Sequence, residues 1–241
     1  MTALKPASAP APGSLPYFVL LYSDAARRDT LATLLALSEE IATGMEGSLD
    51  HAVAHVRLDW WAEEARRYAR GDAQHPWLRW LLQTQPERAD RLDLAPLVNG
   101  AAIDFANHSH GATSDGGLRR ALFVLLAQAL GVSTPSAPAL AALGQIGELS
   151  RQLERYAQGA LAALDVSHAR RALQAEIQRI ELALQPRLAP LLVWSALAAA
   201  RAMRRERRGA QRRTSRLDPL ADNWLAWRSA RRAARGHFRI A

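Results

Sequence analysis

The sequence contains no cysteine, only one lysine and no apolar run long enough to cross a bilayer. Without cysteine there is no disulfide framework, no thiolate metal centre and no cysteine nucleophile. The longest apolar stretch, Leu188 to Ala200, falls well short of the roughly 20 residues that a spanning helix needs, so it reads as a helix buried in protein. The opening carries Lys5 and then Pro/Ala-rich sequence. Its short apolar run, Leu15 to Tyr22, has no cleavage-like neighbour, so no signal peptide is expected. The cytoplasm is the expected compartment.

Strand formers are also scarce. Val, Ile and Thr are few beside Ala, Leu, Arg, Glu and Gln, and no alternating pattern is visible, so an all-α fold is expected. With 49% hydrophobic and 22% charged residues over 241 positions, the chain can bury a core, and a single large helical domain is the expectation. The expected layout is a disordered Pro/Ala-rich start over 1–15, a helical bundle over 16–205, a basic loop over 206–218, and a basic C-terminal helix over 219–241 packed on the bundle. Ser23 or Asp24 is suited to cap a first long helix with Leu31, Leu34 or Leu35, Ile41 and Met45 inward. A second helix, from Leu49 to Arg70, is expected to turn Leu49, Val53, Val56 and Trp60 inward and to stop at Gly71. Leu188 to Arg205, apolar on nearly every side, should be central. In the last helix Leu220, Trp224 and Trp227 share one face, with most of the arginines elsewhere.

Charge is unevenly distributed. From Arg201 onward, 13 arginines face only Glu206, Asp218 and Asp222, a net of +10, whereas the remainder of the chain carries −2. For the run Arg204, Arg205, Arg207, Arg208, Arg212 and Arg213, the simplest reading is a solvated charge cluster. An anionic membrane surface comes next, which would make the protein peripheral at a membrane. Nucleic acid comes third, because the run lacks interleaved aromatics and any reading-helix motif.

The segment Arg57-Leu58-Asp59-Trp60-Trp61-Ala62-Glu63-Glu64, followed by Gly71 and His75-Pro76, resembles a signature of the squalene/phytoene synthase family. Tyr22 to Arg28 entering Leu31 to Ile41, then Leu97-Val98-Asn99-Gly100 with Asp104, then Leu143-Gly144, and finally Asp218-Pro219-Leu220 with Trp224 and Trp227, are similar to that family in order and spacing. The resemblance implies an isoprenoid-synthase bundle. Active members condense isoprenoid diphosphates using Mg²⁺ held by Asp-rich motifs on two helices, because hard cations neutralise the departing diphosphate.

Both Asp-rich motifs are missing at the positions the resemblance assigns them. The first reads Ala42-Thr43-Gly44-Met45-Glu46, with Glu39 where a phosphate-facing Arg is expected. In the second, the two Asp positions read Arg155 and Gly159. An Arg in place of a carboxylate reverses the local charge and opposes Mg²⁺. The resemblance therefore implies a degenerate member without prenyl transfer, needing no cofactor and acting as a binding or assembly protein for a prenyl lipid or a protein partner, as an assembly factor of respiratory complex I in this family does. The alternative is a divergent prenyltransferase of isoprenoid, carotenoid or hopanoid biosynthesis that uses Mg²⁺ with Glu46 and Asp104 as residual catalytic acids.

Arg57 and Trp61 are the candidate substrate-binding residues. For Arg57, a buried ion pair with Glu63, Glu64 or Asp104 is favoured over phosphate binding. Trp60, Trp61, Trp77 and Trp80 fit plain core better than a prenyl tunnel. Asp104 fits a pocket wall or a capping or inter-helix hydrogen bond. His51, His55 and Asp59 have metal-ligand spacing but are expected on a solvated face, and His108 and His110 in a loop. Ser38 and Ser195 have no His/Asp companions at a catalytic spacing.

Overall fold

The computed structural model describes residues 10–46, 51–89, 92–109, 116–132, 136–209 and 215–240. Among these every regular element is helical, as the composition requires. They are α1 (Leu15–Leu21), α2 (Ala25–Glu46), α3 (His51–Ala69), α4 (Pro76–Thr84), α5 (Pro86–Ala89), α6 (Ala95–Ser109), α7 (Gly117–Ala129), α8 (Ala137–Gln158), α9 (Val166–Gln178), α10 (Ala189–Arg208) and α11 (Asp218–Ala234). A short 3₁₀ turn, Leu182–Leu184, precedes α10. The helices belong to two compact units, one over 25–129 and the other over 10–24 with 130–240.

In the first unit α2 packs against α3, α4, α6 and α7. Its stripe is the expected one up to Ile41, with Leu31, Leu34, Leu35 and Ile41 buried and Leu37 joining them, whereas Met45 is only half-buried. The crossing of α6 and α7 is so close that a Cβ on Gly100 would lie 2.4 Å from the backbone of Gly117. Only glycine fits there. Asp104 then accepts the backbone N–H groups of Gly117 and Leu118 at 2.8 and 3.0 Å, which caps α7.

The second helix corrects the expectation for its inward face. The buried stripe of α3 is Ala54, Leu58, Trp61, Ala65 and Tyr68, whereas Val53, Val56 and Trp60 are exposed. Both stripes have helical spacing, but the true one continues through Ala65 and Tyr68 into the last turn. Small alanines carry little hydropathy, yet they let α3 approach its neighbours closely. Leu49 lies outside the described residues.

In the second unit α10 is central, with α1, α8, α9 and α11 packed against it. It is buried from Ala189 to Ala199 and again at Ala202, with Trp194 among its largest enclosed side chains. Side-chain caps start the surrounding helices: Ser14 accepts from Tyr17 N–H, Ser136 from Ala139 and Asp165 from His168. Past α11 the chain is not helical. It is held by Gln185 Oε1, which accepts from Phe238 N–H, and by Gln174 Oε1, which accepts from Ile240 N–H.

Two boundaries differ from the sequence expectation. Residues 10–15 include the start of α1, because Ser14 caps a turn there. Residues 206–208 continue α10, where a loop was expected. The last helix, α11, ends at Ala234 within the basic segment 219–241, and Leu220, Trp224 and Trp227 share one of its faces as expected. Asp222, Ala226, Ser229 and Ala233 pack inward while Leu220, Trp224 and Trp227 are exposed, so the small residues rather than the large ones make the contact.

Candidate functional site

Between Glu40 and its final residue, the end of α2 carries no carboxylate. Ala42, Thr43, Gly44 and Met45 continue the helix, and Glu46 is its last position, its side chain lying outside the described residues. Glu39 is exposed. Arg57, expected in a buried ion pair, is instead exposed and donates from Nη1 to the Gly44 carbonyl at 3.0 Å. A guanidinium suits the partial negative charge of a helix C-terminus, which explains this arrangement without an acidic partner. Glu63 is taken by other cations: Arg66 donates to it at 2.9 Å and Arg70 at 3.3 Å, and these bonds hold its carboxyl below the usual range.

Trp61 is buried and lines an apolar pocket with Leu37, Ile41, Ala65, Leu78, Leu94, Leu97 and Val98. The pocket, about 10 Å³, has room for at most one water molecule, so it serves as packed core. Trp80 is buried in α4, while Trp60, Trp61 and Trp77 all contact the His75 ring. Of the four tryptophans, Trp61 alone is among the residues lining this pocket.

Sequence reasoning missed the polar cluster beneath those rings. Glu64, 1% exposed, accepts the Gln74 and His75 N–H groups, both at 2.7 Å and both at Oε1. Its Oε2 is buried and has no hydrogen-bond partner among the described residues. His75 caps α4 by accepting Trp77 N–H at Nδ1, 3.3 Å away, and its Nε2 lies 3.3 Å from Glu40. The available signal was the pairing of a second Glu after Trp-Trp with the downstream His-Pro. It fixes the turn joining α3 to α4.

His51 and His55 are exposed and meet Phe105 in a tilted and an edge-on contact, 5.1 and 5.5 Å between centroids, with Asp59 exposed further along the same helix. His108 is exposed at the end of α6, and His110 lies outside the described residues. Asp104 is occupied by its capping role. Among the described residues no three His, Cys, Asp or Glu side chains come together as a metal site.

The second motif region lies in α8. Arg155 is exposed in the last turn, and Gly159 ends the helix in the left-handed conformation, φ 86°. A Cβ on Gly159 would come 2.6 Å from Arg205 Nη1. Arg205 in turn lies over the Tyr156 ring, 5.3 Å from its centroid. One and two turns earlier a buried network was not foreseen. Glu148 is 2% exposed and accepts from Arg151 at 2.8 Å through each oxygen and from Gln152 at 2.7 Å. The E-x-x-R-Q spacing is its sequence signal. Buried Ser150 donates to Ser195, which donates to the Leu191 carbonyl, so Ser195 is a bridge between α8 and α10. Ser38 is buried on α2.

The basic run is partly neutralised within its own unit. Arg201 and Arg204 both reach Asp222, and Arg208 makes a two-pronged pair with Asp218 at 2.7 Å for each contact. Arg208 holds the Asp218 carboxyl down to about 2, with the Ser215 N–H adding to the effect. Arg207 is exposed, and Arg212 and Arg213 lie outside the described residues. Much of this charge thus fastens α11 to α10. No helix among the described residues is long and apolar enough to cross a membrane.

No family model, no curated protein and no solved structure matches this chain.

Proposed function

We propose that this protein is a squalene/phytoene synthase-like helical protein that lacks prenyl-transfer activity and works by binding, either a prenyl lipid or a protein partner. The resemblance carried by Arg57 to Glu64 and His75-Pro76 motivates the family part of this reading. The all-helical structure is compatible with it.

The observation that carries the loss of activity is Gly159. The resemblance places a metal-binding Asp there, but the residue sits at φ 86° as the helix terminator, with Arg205 filling the space a side chain would occupy. The second feature opposes a metal-binding Asp, because the approaching guanidinium would pair with its carboxylate and withhold it from Mg²⁺. One turn before it, Arg155 carries the charge opposite to a metal ligand. At the other motif Ala42 and Thr43 offer no carboxylate, and the Gly44 carbonyl is occupied by Arg57.

Incubation of the purified chain with farnesyl or geranylgeranyl diphosphate and Mg²⁺ tests this reading through diphosphate release. The expected result is none above background. Turnover that disappears in Glu46→Gln would replace this reading with the divergent prenyltransferase.

A further inference from the structure

Of the large apolar side chains on α11 and the residue before it, Leu217, Leu220, Trp224 and Trp227 are 67%, 66%, 56% and 49% exposed. Their spacing of three, four and three residues places them in one stripe, opposite the Asp222, Ala226, Ser229 and Ala233 stripe that packs inward. A single exposed Leu is ordinary, but four large apolar groups in one row, two of them indoles, are not.

The same face is cationic. Arg228 lies over the Trp224 ring at 5.0 Å and Arg231 over the Trp227 ring at 4.9 Å. The acids of α11 do not offset them, because Asp218 and Asp222 are both committed to α10 arginines. The helix thus has two indoles, each paired with a guanidinium, two leucines leading into them, and its acids spent on the opposite side.

We infer that this face is a docking surface for an anionic lipid bilayer, with α11 lying in the plane of the interface. Each component matches that environment. Leucines enter the acyl boundary, indoles settle at headgroup level, and guanidiniums held on the ring faces meet lipid phosphates. The other occupants match the chemistry less well. A second copy docked face to face would set Arg228 and Arg231 against their equivalents with no acid to receive them. Single-stranded nucleic acid would use the indoles and arginines but leave Leu217 and Leu220 exposed to water. The inference is independent of whether the chain retains catalysis.

Sedimentation of the full chain at low salt with vesicles of equimolar phosphatidylglycerol and phosphatidylcholine, against phosphatidylcholine alone, provides the test. Binding to the anionic vesicles is expected, and Trp224→Ala/Trp227→Ala should lower the partition coefficient by about tenfold or more. Arg228→Glu/Arg231→Glu should abolish the preference for phosphatidylglycerol. Dibrominated acyl chains should quench wild-type indole emission, a readout that needs no variant to fold. Three results would overturn the proposal: no binding to anionic vesicles; binding that both double variants leave intact; or, in place of vesicle binding, either self-association or poly(U) binding that Trp224→Ala/Trp227→Ala abolishes.

Discussion

Arg208, in the last turn of α10, and Asp218, the first residue of α11, face each other through two parallel hydrogen bonds of 2.7 Å. This geometry is the strongest form of ion pair available to side chains, and it closes the connection across 209–217. The Asp218 carboxyl, held at about 2 against an ordinary 3.8, also accepts the Ser215 N–H at 3.0 Å. Its folded value lies below its unfolded one, so the pair stabilises the folded state at pH above about 4. That contribution disappears as pH falls from about 4 towards 2. Urea denaturation of the wild type and Asp218→Asn across this range should show the variant less stable at pH 6, with the two curves meeting near pH 2. High salt should narrow the gap at pH 6, because the pair is partly exposed.

Adjacent tryptophans of α3 provide a sharper test of which face is buried. Trp61 is 7% exposed and lines the apolar pocket; Trp60 is 43% exposed and rests on the edges of Trp61 and His75. Trp61→Ala should cost about 3–5 kcal/mol in chemical denaturation, and Trp60→Ala about 1 kcal/mol, the scale of one aromatic contact. Equal losses would show that α3 is rotated from the orientation described.

That pair also shows how far the sequence could be read. Composition alone indicates helix, and the buried residues of two helices are legible as well: in α2 because Leu and Ile mark one stripe, in α10 because the segment is apolar on nearly every side. In α3 two stripes of equal spacing compete. Hydropathy favours Val53 and Val56, but close packing selects Ala54 and Ala65, a choice made by neighbours distant in sequence. The same happens in α11, where Ala226, Ser229 and Ala233 pack inward while the tryptophans face out. At the site level the sequence left Asp104 open between a pocket wall and a cap, and the fold uses it as a cap. The Glu64 and Glu148 networks were not legible, because their partners are backbone amides or residues whose burial only the fold decides. Arg57 was placed with the wrong partner because a helix-terminal carbonyl leaves no signature in a list of charges.

Glu64 is expected to be a structural acid, and its replacement should distinguish acceptance from charge. Its Oε1 takes both amide protons of the turn at Gln74 and His75. Glu64→Ala strands those donors and should cost about 1–3 kcal/mol. Glu64→Gln keeps an accepting oxygen and should lose clearly less. Denaturation midpoints of the two variants provide the comparison, and hydrogen exchange at Gln74 and His75 should quicken in Glu64→Ala alone.

The crossing of α6 and α7 depends on a pair of glycines with no room for substitution. A Cβ on Gly100 would sit 2.4 Å from both the carbonyl carbon and oxygen of Gly117 and 2.7 Å from Leu118 N; one on Gly117 would meet the Gly100 carbonyl oxygen at 2.7 Å. These neighbours are backbone, so the helices themselves must separate. Separation also stretches the two bonds by which Asp104 caps α7, at Gly117 and Leu118. Alanine in an exposed helix interior ordinarily gains up to about 1 kcal/mol over glycine, so the sign of the effect is diagnostic. Gly100→Ala should destabilise by about 1–3 kcal/mol despite alanine's better helix propensity. Asp104→Ala, which removes the cap without widening the crossing, should cost about 1 kcal/mol. If the two lesions act through the same displacement, the double variant will lose less than the sum of the single losses, which a double-mutant cycle of denaturation free energies measures directly.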